Sequence, residues 1–399
     1  MSSQAPRRIL IVVENLPVPL DRRVWLEATA LTEAGYQVSV ICPMGRGWDK
    51  AYEVIDGVHI YRHPEPPEAH SGAIAYAREY WHAIKAWFRL ARVVRRERGF
   101  DVIHGCNPPD LIFLLALRYR MAGVKYLFDH HDVCPELFEA KFDKKGLLHR
   151  VMLIWERITF ACAHVSIATN ESFRRIAITR GRMDPQDVFV VRSAPKVEVF
   201  VPGPGDPSYR KGAGTVLGYV GVIGQQEGMD LLIAALDHLV NGMGRGDVHL
   251  VIVGFGPHVE EVQRDVTAHG LDAHVTFTGA LYGDDLLAAL NAIDIGVAPD
   301  PKNPMNDIST MNKVMEYMTL EKPVVQFDLT EGRASAGEAS LYARANDPED
   351  FAARIADLMD DPALRTRLGA SGRSRVLEEL SWAHSVPALL RAYDRVFAK

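Results

Sequence analysis

Short apolar runs without polar alternation recur along the whole chain, and each is followed by a longer stretch whose apolar positions fall at helical spacing. In the first half the runs are RRILIVVE (7–14), QVSVICP (37–43), DVIHG (101–105), KYLFDHH (125–131), HVSIAT (164–169) and VFVVRS (188–193). Between them lie helical segments such as RRVWLEATALTEAG (22–35), which ends on a glycine placed as a C-cap. Strands that show no polar face and are separated by helices read as parallel strands covered on both sides. The first half is therefore predicted to be a doubly wound α/β domain.

The pattern breaks at 194–214, APKVEVFVPGPGDPSYRKGAG, where proline and glycine mark a linker. It then restarts with TVLGYVG (215–221), VHLVIVG (248–254), HVTFTG (274–279), IDIGVAP (293–299), PVVQFD (323–328) and SLYAR (340–344). A last amphipathic stretch, SVPALLRAYDRVFAK, fills 385–399. The simplest architecture is two Rossmann-like doubly wound domains facing each other across a cleft. They are expected at 1–200 and 212–382, with a C-terminal helix at 383–399 packing back on the first. Ligands of such sheets sit beyond the carboxyl ends of the strands, so the residues just after each strand are the candidates.

Composition narrows the class. A chain of 399 residues, 48% hydrophobic and 24% charged, fits a soluble globular protein, with domains of roughly 150 to 200 residues. A net charge of −6 argues against nucleic acid as a partner. Cys42, Cys106, Cys134 and Cys162 form no CxxC pair and no zinc-ligand spacing, which fits a reducing compartment. The N-terminal apolar run is too short for a secretion signal, and no stretch approaches the about 18 consecutive apolar residues of a membrane span. A cytoplasmic location is expected, with any membrane contact peripheral and on the inner face. One segment invites such contact. YAREYWHAIKAWFRLARVVRRERG (76–99) interleaves Arg78, Lys85, Arg89, Arg92, Arg95, Arg96 and Arg98 with Tyr80, Trp81, Trp87, Phe88 and Leu90. That composition suits anionic lipid headgroups; a core helix with a solvated basic face is the plainer reading.

Candidate chemistry gathers after the strands of the second half. VGVIG (220–224), VGFGP (253–257) and FTGAL (277–281) are glycine turns. Gly221, Gly224, Gly254, Gly256 and Gly279 would let backbone N–H groups approach a phosphate, although tight strand-to-helix turns also use glycine for purely structural reasons. The strongest segment is APDPKNPMNDISTMNKVMEYMTLEKPVVQFD (298–328). Asn306, Asp307, Ser309 and Thr310 crowd the start of a helix whose apolar positions Met311, Val314, Met315 and Met318 follow the helical period. Ser309 or Thr310 is a natural N-cap. A helix start carries about half a positive charge and several unpaired donors. The amides of Ser309, Thr310, Met311 and Asn312 are thus placed to hold a diphosphate. Lys313 would reach back to the anion as a point charge, and Glu316 would accept two hydrogen bonds from a ribose. The alternative is a surface Lys313–Glu316 pair.

These motifs together resemble the retaining, nucleotide-sugar-dependent glycosyltransferases of family 4, which have the GT-B fold. The most specific part is STMNKVMEYMTLEKPVV, whose end is similar to the family's EAMAxGxPVV. The resemblance gives Glu316 the role of the second glutamate of the family's E-x7-E motif, which binds the donor ribose. The first glutamate falls on Ile308, so Asp307, one residue earlier, is expected to approach the donor sugar. The segment FDHHDVCPELFEAKF (128–142) resembles xDxHDxxPE and places the active-site histidine at His131, followed by Asp132 on the acceptor side. His131 is expected to act as a neutral imidazole near its ordinary pKa. ENLPVPLDRRVWLEA (14–28) matches the loop and helix after the first strand, with Asp21, Arg22 and Arg23 on the acceptor side. Arginines at a helix start oppose the dipole, so an anionic ligand or a neighbouring carboxylate would account for them. No metal and no other cofactor is implied.

One departure from the family is specific. Where the family reads GRLxxxKG, this chain reads GVIGQQEG, so Val222 stands for the arginine and Glu227 for the lysine that grip the donor diphosphate. Charge-assisted hydrogen bonds are worth about 1.5–3 kcal/mol each. Losing both, uncompensated, would slow leaving-group departure by roughly two to four orders of magnitude. Lys313, the helix-start amides, and Arg22 or Arg23 are the substitutes the sequence offers. The resulting expectation is transfer of a sugar with retention from a nucleotide-sugar donor, a UDP-sugar by default. The acceptor would be a glycan or lipid-linked glycan of a cell-surface polysaccharide. A nucleotide-sugar 2-epimerase of the same fold, or a non-catalytic partner in a polysaccharide assembly complex, are the alternatives.

Overall fold

In the computed structural model, which describes residues 6–65, 73–142 and 146–399, the apolar runs form two sheets that are parallel apart from one edge strand. The first contains β1 (Arg8–Val12), β2 (Gln37–Pro43), β3 (Tyr52–Ile55), β4 (Val58–His63), β5 (Val102–Cys106), β6 (Lys125–His130), β7 (Val165–Ala168) and β8 (Val188–Val190). Its order is β3-β4-β2-β1-β5-β6-β7-β8. The second contains β9 (Thr215–Val222), β10 (Val248–Phe255), β11 (Val275–Gly279), β12 (Ile295–Ala298), β13 (Val324–Phe327) and β14 (Ser340–Ala343), in the order β11-β10-β9-β12-β13-β14.

Burial on both faces explains the parallel pairing. Leu217 and Tyr219 of β9 belong to one core cluster while Val216 belongs to another. Successive side chains of a strand point to opposite faces, so helices must cover both. The helix Arg22–Glu33 ends as its sequence suggests. Gly35 adopts φ 89°, its N–H donates to Thr32 O, and the N–H of Tyr36 donates to Leu31 O, which together close a Schellman motif.

The antiparallel edge hairpin was not anticipated. Asp56 and Gly57 both have left-handed φ, 49° and 80°, and Ile55 pairs with Val58 across them. That is a two-residue hairpin turn of the primed type, for which Asp-Gly is a favoured pair. A search for buried parallel strands overlooks it, because residues 52–55 alternate between exposed and half-buried and the partner strand VHIYRH carries three polar residues.

The chain divides into Met1–Arg192 with Ser385–Lys399, and Ser193–His384. The proline- and glycine-rich segment 194–214 therefore belongs to the second unit. Phe200 is buried in that unit's core, and the Asn291 side chain accepts from Gly203 N at 3.0 Å and donates to Val201 O at 3.2 Å. The last residues complete the first unit. Tyr393 Oη lies 2.8 Å from His104 Nδ1, and Arg395 and Lys399 donate to Asp187 at 2.7 and 2.6 Å.

Two glycine turns of the second unit pack on each other through backbone. Ile223 N donates to Phe255 O at 2.9 Å, and His258 N donates to Ile223 O at 3.1 Å. Gly254 has φ 152°, and a Cβ there would overlap the carbonyl oxygen of Gly221. The fold alone thus requires glycine at this position. Gly254→Ala is expected to cost about 1–3 kcal/mol in denaturant unfolding. An unchanged unfolding midpoint would contradict the packing of the two turns.

Candidate functional site

In the second unit the connections reverse between β9 and β12, the point at which sheets of this order open a crevice beyond the strand ends. The turn after β9, the segment after β12 and the start of the helix Asn312–Thr319 meet around one ammonium group. Lys313 Nζ donates to both oxygens of Asp300 at 2.8 and 3.0 Å, lies 3.5 Å from Glu227 Oε2, and sits 4.8 Å from the Tyr219 ring centroid. Burial works against its charge, yet Asp300, Tyr219 and Glu227 hold its pKa well above the ordinary lysine value. Burial also raises the Glu227 carboxyl, with Lys313 acting in the opposite sense.

This geometry revises the expected role of Lys313. Its charge is answered inside the protein by two carboxylates, a commitment the sequence reading of a cation free for phosphate did not foresee. Sequence alone did not single out Asp300, which lies two residues after β12 and has no motif. Asn306, read only as one of a polar crowd, is a tie between the two loops: its Nδ2 donates to Gln226 O and to Pro301 O, both at 3.0 Å.

The helix start also differs in detail. Asn312 is the first helical residue and Met311, with extended backbone, occupies the cap position without a side-chain bond. Ser309 lies too far upstream to cap it, and its Oγ donates instead to Met305 O at 2.7 Å. Thr310 likewise precedes the cap position. The amides of Asn312 and Lys313 are then the first of the helix, and Glu316 is buried one turn on. Asp307 does not present an uncommitted carboxylate: it accepts from Thr330 N at 2.9 Å and Thr330 Oγ1 at 3.0 Å, holding the start of the helix Thr330–Ala336. Adjacency to Ile308 carried no information on where this side chain points. Gly221, Val222, Gly224, Gly254 and Gly256 lie in the two packed turns, whereas Gly279 ends the edge strand β11, separated from β9 by β10.

In the first unit, functional side chains collect after β1, β5 and β6. Asp21 caps the helix Arg22–Glu33 by accepting from Val24 N at 3.1 Å, and burial raises its pKa. Arg22 is exposed on the first turn. Arg23 is buried, donating to Asp129 through Nε and Nη2 at 2.8 and 2.7 Å and to Val191 O at 2.8 Å, with Glu27 3.1 Å away. Neighbouring carboxylates, not a ligand, account for an arginine at this helix start.

His131 Nδ1 lies 2.9 Å from Asp129 Oδ2. Burial opposes a charged ring, but Asp129 prevails and pushes the pKa up to about 9, which replaces the expected neutral imidazole with an imidazolium. With Nδ1 donating to Asp129, Nε2–H is the remaining donor of a side chain that is 11% exposed. Asn107, another residue without a sequence signal, fixes the loop: its Oδ1 accepts from His131 N at 3.0 Å and Asp132 N at 3.1 Å. Glu27, His104, Cys106 and Asp129 bring possible metal-ligating atoms within 4.8 Å of one another. The Arg23 guanidinium already supplies the cation of this cluster, which we read as a buried charge network.

Several comparisons bear on this arrangement. A family model described as glycosyl transferases group 1 matches residues 214–361, and one described as a glycosyl transferase 4-like domain matches 20–194. The chain is 27% identical over 301 residues to alpha-maltose-1-phosphate synthase of Mycolicibacterium smegmatis, spanning 69% of this chain and 74% of that protein. It is 29% identical over 162 residues to a GDP-mannose-dependent monoacylated alpha-(1-6)-phosphatidylinositol monomannoside mannosyltransferase of Corynebacterium glutamicum, 39% of this chain and 41% of that one. Among solved structures, sucrose-phosphate synthase from Thermosynechococcus elongatus superposes with a TM-score of 0.78 at 18% identity, covering 98% of this chain and 99% of that chain. Anabaena HepE in complex with UDP-glucose gives 0.71 at 14% identity, covering 97% and 99%. These likenesses assign the GT-B fold, each domain built on a parallel sheet.

The His131–Asp129 pair predicts a pH signature. The folded pKa of about 9 lies above the unfolded value, so the stabilisation it brings is complete below roughly pH 6.5. It is lost as pH rises through about 9. NMR titration of His131 should give a midpoint near 9 that drops in Asp129→Asn. A midpoint close to the ordinary histidine value would contradict the pairing.

Proposed function

The chain belongs to the group 1 glycosyl transferases, and from that premise we propose that it moves a sugar with retention from a UDP-sugar to a lipid-linked glycan of a cell-surface polysaccharide. The observation that carries this reading is the start of the helix Asn312–Thr319 at the β9/β12 switch point, with no side-chain cap and with Glu316 buried one turn in. Backbone N–H groups and the helix dipole there suit a diphosphate. Glu316 suits the ribose hydroxyls as an acceptor of two hydrogen bonds. Neutralisation falls mainly on these amides, because Lys313 is already paired.

In the reaction as proposed, the bond from the anomeric carbon to the phosphate oxygen breaks and the acceptor oxygen bonds to the same face. The acceptor proton passes to the departing phosphate, and no metal ion is drawn on. His131, an imidazolium at neutral pH, donates to a sugar hydroxyl and does not act as the base. The UDP-bound neighbour and the lipid substrate named for one relative support donor and acceptor respectively, as statements about those proteins. No helix among the described residues is long and apolar enough to cross a membrane. The proposed location is the cytoplasm, at the inner face of the membrane, held by the basic helix at 76–99; the side chains of 76 and 77 lie outside the described residues.

A panel of nucleotides tested for thermal stabilisation addresses the donor, since a ligand that binds only the folded state stabilises it in proportion to its affinity. UDP is expected to stabilise most. UDP-sugars with a polyprenyl-diphosphate-linked sugar are then expected to yield the extended glycan. Isomerisation of the donor alone would instead indicate an epimerase, and nucleotide binding by none of the panel would indicate a non-catalytic partner. Glu227→Gln removes one negative charge from the switch point and should tighten UDP roughly tenfold, about 1.4 kcal/mol. Weaker binding in that variant would refute the charge argument.

A further inference from the structure

The buried charges of the first unit continue past Arg23 to the last helix of the chain, Trp382–Ala398, whose residues from Ser385 onward complete that unit. Ion pairs of Arg395 and Lys399 with Asp187 dock this helix, and Tyr36 packs on Tyr393 with ring centroids 5.6 Å apart. Tyr393 is fully buried, so phenylalanine would fill the same space. A buried hydroxyl left without a partner is destabilising. The partner of the Tyr393 Oη therefore decides what the hydroxyl is for.

That partner is His104 Nδ1 on β5, at 2.8 Å. Burial lowers the His104 pKa to about 4, so the ring is neutral and carries one N–H. Were the proton on Nδ1, the tyrosyl O–H would be stranded in the core and the Nε2 lone pair would face a carboxylate. With the proton on Nε2, the O–H donates to Nδ1 and the Nε2–H points toward Glu27 Oε2, 3.6 Å away. That spacing is too long for a hydrogen bond, yet the N–H dipole still acts across it. Glu27 Oε1 in turn lies 3.1 Å from Arg23 Nη2. Arg23 holds Asp129, and Asp129 holds the His131 ring.

We infer that Tyr393 is a positioning residue for His131: its hydroxyl fixes the His104 tautomer, and Glu27, Arg23 and Asp129 carry that choice to the loop that holds the candidate catalytic ring. The inference rests on the proposed role of His131 as donor to a sugar hydroxyl, and it makes the last helix a working part of the acceptor-side site. An Nε2–H with its positive end toward Glu27 favours the carboxylate, and the charges of Glu27 and His131 act on each other, each favouring the ionised form of the other. Without the hydroxyl the Nε2 lone pair can face Glu27, which burial already pushes toward its protonated form. Arg23 is then answered by Asp129 with less help, and His131 gives up its proton more readily. The other charged groups around the ring, Asp129, Asp132 and Asp21, are untouched by the change, and His130 stays neutral through burial.

Nitrogen-edited NMR of the full chain tests it. In wild type the His104 proton is expected on Nε2, and Tyr393→Phe, which keeps the packing ring, should release it to either nitrogen. The His131 midpoint should then fall by about one pH unit. Turnover of UDP-glucose with a polyprenyl-diphosphate-linked sugar should drop roughly threefold at about pH 8.5 and very little at about pH 6.5, with KM for UDP-glucose unchanged. His104→Gln, which keeps an N–H for Glu27, should hold the His131 midpoint, whereas His104→Leu should lower it as Tyr393→Phe does; circular dichroism checks that each variant folds. The inference is overturned by a His104 proton on Nδ1 in wild type, by a midpoint that Tyr393→Phe leaves in place, or by His104→Gln lowering it as far as His104→Leu. A wild type that transfers no sugar defeats the proposed function instead, and the NMR outcomes still decide the network.

Discussion

A buried ammonium must be answered within a few ångströms, and at the β9/β12 switch point that requirement organises the site. Lys313 reaches Asp300 on one side and Glu227 on the other. It therefore joins the segment after β12 to the turn after β9 as firmly as any backbone bond. Breaking a buried pair costs about 3–5 kcal/mol because the remaining charge is stranded. Lys313 is accordingly a structural cation first. A ligand diphosphate would meet an ammonium already paired with two carboxylates, and in the proposed reading it is held by the amides at the helix start.

The first unit obeys the same rule with other residues. Arg23 is buried at a helix start, where the dipole disfavours it, and is held by Asp129 and Glu27. Asp129 is thereby fixed as a carboxylate, which in turn keeps His131 charged. The ring's protonation state is thus set by a residue buried behind it. At neutral pH the ring therefore carries a proton on both nitrogens.

How much of this was legible in the sequence follows from what kind of signal each residue leaves. Parallel strands announce themselves by unbroken apolar runs, and twelve of the fourteen strands among the described residues stood in the pattern. β3 alternates and β4, though buried, carries His59, Arg62 and His63, so the hairpin escaped a search for apolar runs although its Asp56-Gly57 turn was visible. Partners distant in sequence leave no such trace. Asp300 and Asn306 matter because of what they touch, and nothing at their own positions distinguishes them from loop polar residues. Ser309 and Asp307 failed in the opposite way: suitable residue types, whose side chains the fold commits to Met305 and Thr330. The glycines of VGFGP were readable as glycine turns, but their cause, one turn packed on another, is a tertiary contact between segments distant in sequence.

If the diphosphate is held by backbone donors and a helix dipole, and not by mobile exposed cations, its affinity should respond weakly to screening. The measurement is the Kd for UDP by calorimetry between about 50 mM and about 500 mM salt, a range over which the Debye length shrinks roughly threefold. The account predicts a Kd that changes by less than about threefold, since no exposed ion pair with the phosphates is made. A tenfold or greater loss, about 1.4 kcal/mol, would mean that exposed lysines or arginines grip the phosphates, and would contradict it.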